Sequence, residues 1–296
     1  MFSTEDFIIA VFCCVDDLWH QVTQGTKIRK GGFAPSLSDS EVVTIEIVGE
    51  FLGMDTDLGI WSYFKANWKE FFPNLKSRTT FVRQAANLWQ YKQQLQQLLA
   101  QKMSGFADSV HLIDGFPIPL CHYQRASNCR LFMAEADFGY CSSKDEKYYG
   151  FHGHLVISSQ GVITGFSLTA ANISEREALW EVVDGINGLL IGDKGYLSSS
   201  LQDDLSCYQL NLQTPKRSNM NDERPKHWVR LLIKIRRLIE TVIGQLVERF
   251  HLAQVRARDL WHLTSRIHRK LLAHTIALWL NRHSDNPLCF RYLISN

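Results

Sequence analysis

The sequence predicts an α/β protein, a mixed sheet with flanking helices, preceded by an all-α N-terminal module. Three observations carry that prediction. Apolar residues recur at helical spacing up to about residue 103, the period shortens to that of strands from about 109, and basic helical segments close the chain. With 296 residues and 45% hydrophobic content, the chain has enough apolar surface for one large domain or two of ordinary size. The expected division is a helical module over 1–103 and an α/β domain with basic C-terminal helices over 104–296.

The elements follow in order. "STEDFIIAVFCCVDDLWHQV" reads as a helix with Thr4 as its N-cap. "LSDSEVVTIEIVGEFLGMD" begins with Ser38 and Glu41 three apart, the spacing of a capping box, and stops at Gly53. "SRTTFVRQAANLWQYKQQLQQLLAQKM" reads as one helix from Thr79 or Thr80, with Phe81, Ala85, Leu88, Leu95, Leu98 and Leu99 as its buried stripe. Three to five helices complete this module.

Beyond it, "SVHLIDGFPIPLCH" reads as a strand with an Asp-Gly turn, and "YYGFHGHLVISSQGVITGFSLTAAN" as two strands joined at Gln160-Gly161. "SEREALWEVVDGI" is a helix capped by Ser174, with Glu177 three residues later. The strand "GLLIGDKG", the helix "SSSLQDDLSCY", the edge strand "LNLQTP" and the linker-like "PKRSNMNDERPK" at 215–226 lead to helical sequence over 226–282.

Composition narrows the function. The longest apolar runs are broken by charge, as at Asp16 and Asp17, and none approaches the ~20 residues of a membrane span. The acidic start of the chain is unlike a secretory signal. Seven cysteines at scattered positions, without a Cys-x-x-Cys pair, suit free thiols in a reducing cytosol, and a Cys121/His122/Cys129/Cys141 zinc site fits no known spacing. Net charge is only +2, but residues 215–282 carry fifteen Lys and Arg against five Asp and Glu. Such a basic stretch, under a quarter of the chain, fits a polyanionic partner, or equally a solvated helix surface.

Three carboxylates stand out. Asp114 and Asp193 each follow an apolar run and should emerge at a strand's carboxyl end, where open α/β sheets bind ligands. Glu240 lies among Arg236, Arg237 and Ile239 on the inner face of a basic helix. The element order β-β-β-α-β-α-β-α, with one aspartate on the first strand, another on the fourth and a glutamate on a later helix, leads to a ribonuclease H-like mixed sheet.

At these residues the chain resembles the DDE transposases of bacterial insertion sequences, of the short single-frame type, over nearly its whole length. "LSDSEVVTIEIVGEFLG" and "FFPNLKSRTTFVRQAANLW" are similar to that family's N-terminal helical region. "LTAANISEREAL" carries its Thr-x-x-Asn turn, "LLIGDKGYLSSSLQDDL" its second-aspartate signature, and "RRLIETVIGQLVERF" its glutamate helix. Ile233 and Val247 stand where the related pattern along that helix has Tyr and Lys. The resemblance implies a catalytic and metal-binding triad of Asp114, Asp193 and Glu240 holding Mg2+, with Mn2+ as a substitute. It also implies terminal inverted repeats and target DNA as substrates, nicking to free 3′-hydroxyls followed by strand transfer, a homodimer on DNA, and the bacterial cytoplasm and nucleoid as the setting. Oxygen ligands suit a hard octahedral cation better than Cys or His would.

Arg236, one helical turn before Glu240, is either a fork-shaped phosphate donor or an i,i+4 partner worth ~0.3 kcal/mol. Arg237, Lys194 and Lys216 are candidates for backbone phosphates, although a lysine beside a turn is commonly just solvated. His154 is either an accessory to phosphate or water, or a hydrogen-bonded strand histidine. Trp180, Trp228 and Trp261 read either as base-stacking rings or, more commonly, as core. Arg78, Arg83 and Gln84 would face bases if "KSRTTFVRQ" starts a recognition helix. Two other functions remain open: a ribonuclease H-like nuclease that never joins ends, and a domesticated DNA-binding regulator.

Overall fold

The computed structural model describes residues 1–141, 145–217 and 219–294, so Ser218 of the expected linker lies outside the described residues. The chain forms two compact units, one made of residues 1–99 and 246–296, the other of residues 100–245. Residues 246–294 therefore pack with the N-terminal helices.

The first unit is helical. It contains α1 (Thr4–Thr23), α2 (Asp39–Phe51), α3 (Asp57–Asn67), α4 (Arg78–Asn87), most of α5 (Trp89–Lys102), and later α9 (Leu260–Leu280). The capping box at the start of α2 forms as its spacing predicts: Ser38 Oγ accepts from Glu41 N at 3.1 Å, and Glu41 Oε2 accepts from Ser38 N at 2.6 Å. The single helix expected from Thr79 is two helices, because the chain leaves regular geometry at Leu88 between α4 and α5, and Ser77 rather than a threonine caps the first. At the chain start the cap is Ser3, one residue earlier than expected.

α2 is buried almost all round, as expected for a central helix. Its two buried acids, Glu46 and Glu50, are one turn apart and meet cations from neighbouring helices. Lys92 reaches Glu46 at 2.8 Å, Arg269 reaches Glu50 at 2.6 Å and Asp57 at 2.7 Å, and Lys270 reaches Glu50 at 2.6 Å.

α9 also buries two histidines. Burial lowers the pKa of His268 to about 4, with Lys92 adding to the effect, and lowers that of His274 to about 3. Both bind a proton more readily unfolded than folded. Their contribution is complete above the ordinary histidine pKa of about 6.5 and is lost as pH falls towards the folded values. Between pH 7 and 5 each should cost the unit about 1–2 kcal/mol. In urea titrations, His274→Leu should shrink the stability difference between pH 7 and 5 by that amount; an unchanged difference would refute the assignment.

The second unit is built on a six-stranded sheet. Its strands are β1 (Val110–His122), β2 (Asp137–Cys141), β3 (Glu146–Ser158), β4 (Ile163–Ala170), β5 (Gly188–Ile191) and β6 (Leu210–Gln213). β3 runs antiparallel to β1, and along its other edge it pairs first with β2 and then with β4. On the far side of β1, β5 and β6 add in parallel. The order is therefore β4, β3, β1, β5, β6, with β2 extending the β4 edge. The helices are α6 (Glu175–Ala178), α7 (Ser199–Ser206) and α8 (Lys226–Gly244).

Two local readings of the sequence are corrected here. Asp114-Gly115 makes no turn, because β1 runs straight through it, paired with β3 from His111 to His122. Pro117 and Pro119 lie where β1 has lost its β5 partner, so their missing N–H groups are tolerated. "SEREALWEVVDGI" is only one α-turn followed by a 3-10 turn.

Candidate functional site

Both aspartates lie where the parallel pairing of β1 and β5 ends. The last paired residues are Leu112 and Ile191, so Asp114 and Asp193 each follow two residues later. Leu112, Ile113, Leu190 and Ile191 are buried, which fixes the two strands and leaves the aspartates at the rim of the core. Asp114 Oδ1 accepts from Gly115 N at 2.9 Å. Asp193 caps the 3-10 turn Lys194–Tyr196 by accepting from Gly195 N.

α8 brings the third element. Leu232, Ile239 and Val242 are its buried residues, and Arg236 stands on the same stripe, four after the first and three before the second. From there Arg236 donates to Asp114 Oδ2 at 2.9 Å and to Glu240 Oε1 at 3.2 Å. Arg236 thus bridges two of the three sequence-predicted carboxylates: it is the i,i+4 partner of Glu240 and also holds Asp114. The Glu240 side chain is 55% exposed, at the open side of the group.

One acidic residue was missed. Ser174 caps α6 by accepting from Glu177 N, and Arg176 Nε donates to the Gly195 carbonyl at 3.0 Å. Together these dock the first turn of α6 on the Asp193 turn and put Glu175 between the two aspartates. A Cβ added at Gly195 would overlap Glu175 Oε2 and stand 2.9 Å from Asp193 Oδ1; one at Gly115 would stand 3.0 Å from Glu175 Oε1 and 2.5 Å from His152 Nε2. The two glycines make the room that the Glu175 carboxylate occupies. The available signal was Glu175 directly after the Thr-x-x-Asn turn and the Ser174 cap.

The electrostatics show a group short of positive charge. Burial raises the Asp114 carboxyl to about 6; Arg236 opposes this and Asp193 adds to it. Glu175 is raised to about 7, by burial first and then by Asp193 and Asp114. Tyr196, wholly buried, is held far above its usual range by burial and then by Glu175, Asp114 and Asp193. Its hydroxyl, His152 Nε2 and Arg236 Nε are buried atoms without hydrogen-bond partners.

These observations fit a hard divalent cation: carboxylate oxygens as donors, mutual repulsion that a cation would relieve, and the orphaned Tyr196 hydroxyl and His152 Nε2 alongside. Among the described residues, no three His, Cys, Asp or Glu side chains stand ready-clustered around one point, and Arg236 holds Asp114 and Glu240 to itself.

The other candidates are dispersed. His154 is fully buried, accepts from or donates to Thr169 Oγ1 at 2.9 Å, and stacks on His152 with ring centroids 4.8 Å apart. Burial, with His152 adding to it, lowers its pKa to about 3, so it is a neutral strand histidine. The imidazole bordering the acidic group is His152. Lys194 and Arg237 are exposed, and Lys216 donates to the Asn221 carbonyl at 3.0 Å beside a cleft of about 820 Å³ that Arg176, Arg217 and Arg224 also line.

In the helical unit, Arg78 and Arg83 line a second cleft, of about 390 Å³, with Arg256, Arg266 and His262. Gln84, expected to face outward with them, is turned inward and donates to the Leu37 carbonyl and to Asp39. Trp180 and Trp261 are exposed rather than core.

Fold and site define a mixed α/β protein with an acidic centre where the parallel pairing of its central strands ends, beside an arginine-bearing helix. The chain belongs to the transposases with a DDE domain: the family model described as "Transposase DDE domain" matches residues 104–260, more than half of the chain. Among solved structures, the chain is similar to the piggyBac transposase in its synaptic complex with hairpin DNA, at 10% identity and a TM-score of 0.37. The match covers 77% of this chain and 53% of that one, so the chain spans about half the length of that transposase. No curated protein matches.

Proposed function

We propose that the protein is a DNA transposase that nicks the ends of its element and joins the freed 3′-hydroxyls to target DNA. Its catalytic and metal-holding residues are Asp114, Asp193 and Glu240. The observation that carries this reading is the meeting of Asp114 and Asp193 just past the end of the β1/β5 pairing, with Arg236 and Glu240 delivered to them by α8. The strand order, with β3 antiparallel and β1, β5 and β6 parallel, supports a ribonuclease H-like core.

A bound Mg2+ or Mn2+ supplies Lewis-acid charge for the attacking and leaving oxygens of a phosphodiester. The chain's own residues do the rest. Asp114 and Asp193, held by strands and by backbone N–H groups, keep fixed positions at the reacting phosphate. Arg236 exchanges its carboxylate partners for phosphate oxygens, which a guanidinium fork fits. Glu240, exposed and one turn away, is freed by that exchange to complete the carboxylate set. Lys194, Arg237 and Lys216 lie along the same unit as contacts for the DNA backbone. Double-stranded ends with terminal inverted repeats, target DNA and a homodimeric synapse complete the proposal, within a bacterial insertion sequence.

The helical unit binds the element ends through the Arg78 and Arg83 cleft. Arg78→Ala with Arg83→Ala should weaken duplex binding and reduce the slope of log K against log salt by up to about 2, near 0.9 per lost phosphate contact. Filter binding across several salt concentrations reads this. An unchanged slope and affinity would remove the cleft from the DNA path, and loss confined to one sequence would make these arginines base readers.

A further inference from the structure

We infer that Glu175 is a fourth carboxylate of the metal centre, sharing a divalent cation with Asp193 across the Gly195 turn. The inference rests on the transposase reading above and deepens its site. Its basis is geometric. Arg176 ties α6 to the Gly195 carbonyl, so Glu175 has one place to go, and that place is against the Asp193 carboxylate. Two glycines, Gly115 and Gly195, border this carboxylate at positions where a methyl group would press on it. Among the described residues no hydrogen bond or ion pair engages the Glu175 side chain, whereas Asp114 and Glu240 share Arg236.

The buried Tyr196 hydroxyl and His152 Nε2 lack partners and lie beside the same carboxylates. A carboxylate pair with no ion pair to a protein cation among the described residues, only the more distant field of Arg236, and with unsatisfied polar atoms beside it, is arranged for an ion from solution. The helix glutamate and the strand-side glutamate would then have different duties. Glu240 joins once DNA has drawn Arg236 away, and Glu175 holds the cation before DNA arrives.

The test reads metal uptake rather than chemistry. Mn2+ binding to the full chain without DNA is followed by the electron paramagnetic resonance signal of free Mn2+, with melting curves as the folding control. Glu175→Gln should weaken Mn2+ binding by about tenfold or more, as Asp193→Asn should, since even groups one step removed from a metal cost about 10–100-fold. Gly195→Ala, which keeps every carboxylate but displaces that of Glu175, should weaken it as well. Glu181→Gln, an exposed acid on the next turn, should not.

Mn2+ affinity of Glu175→Gln within twofold of wild type would overturn the inference, as would a wild-type chain that takes up no Mn2+. Should Glu175→Gln melt early, Glu175→Asp decides, because it keeps the charge and shortens the reach: unchanged affinity there again overturns the inference. A chain that binds Mn2+ through Glu175 but neither nicks nor joins DNA leaves the inference standing and removes the proposed function. Strand transfer undiminished in Glu175→Gln does the reverse.

Discussion

Asp193→Asn and Asp114→Asn are expected to abolish nicking and strand transfer, each by at least about 10³-fold, or about 4 kcal/mol of transition-state stabilisation. Both variants should fold. The Gly195 N–H that caps on Asp193 can be accepted by an asparagine oxygen, so the 3-10 turn keeps its geometry. Asp114, raised to about 6, spends part of its time neutral near pH 6, and an amide oxygen can still accept from Gly115 N or Arg236. What both variants lose is negative charge that no neighbour replaces. DNA binding should persist, since it rests on the basic surface, and can even tighten at low salt when an acid is removed near a phosphate. A denaturing gel of labelled element ends measures the loss, and cleavage within tenfold of wild type in either variant would show that its aspartate is not catalytic.

The second large effect is on stability. Glu50→Ala should cost about 3–5 kcal/mol, because it strands Arg269 and Lys270 in the interior of the helical unit. Arg269 is fully buried, and of its carboxylate partners Glu50 lies closest, at 2.6 Å, with Asp57 at 2.7 Å and Glu46 at 3.3 Å. Burial raises no objection to ionising Arg269 that these acids do not outweigh, so the guanidinium stays charged. Losing Glu50 leaves that charge short of its nearest partner. At ~2–4 °C per kcal/mol for a unit of this size, the melting temperature should fall by about 10 °C. By contrast, Asp16→Asn, which breaks only the exposed pair with His20, should leave it unchanged. Differential scanning calorimetry compares the two; equal melting temperatures for Glu50→Ala and wild type would mean that the buried network does not hold the unit together.

Much of this architecture was legible because each signal had one physical meaning. Ser38 and Glu41 form the capping box their spacing announced, and Gln160-Gly161 does join two paired strands. The apolar runs before Asp114 and Asp193 bring both aspartates to the end of the same parallel pairing. Where reading failed, the missing information was tertiary. Asp114-Gly115 looks like a turn until β3 supplies a partner for both residues and for β1 on either side of them. Gln84 looks like a polar outward residue until Leu37 and Asp39 take its amide. α2 shows acids at helical spacing, but only packing reveals that Lys92, Arg269 and Lys270, each more than forty residues away, neutralise them.

Glu175 is the most instructive case. In the sequence it is one of several acids after a serine cap, and its place directly after Ser174 and the Thr-x-x-Asn turn is a faint signal beside Glu177 at the capping position. The Arg176 to Gly195 hydrogen bond, nineteen residues apart, is what turns it into the acidic group.

One measurement bears most directly on the central claim, that this acidic centre performs phosphoryl transfer on DNA. The full chain is incubated with Mg2+, a labelled duplex carrying the DNA that flanks its reading frame, and a supercoiled plasmid. Labelled ends covalently joined to plasmid by the wild type, with none from Asp193→Asn, are the predicted result. Hydrolysis without joining would make the protein a nuclease, and joining that survives in Asp193→Asn would place the chemistry elsewhere.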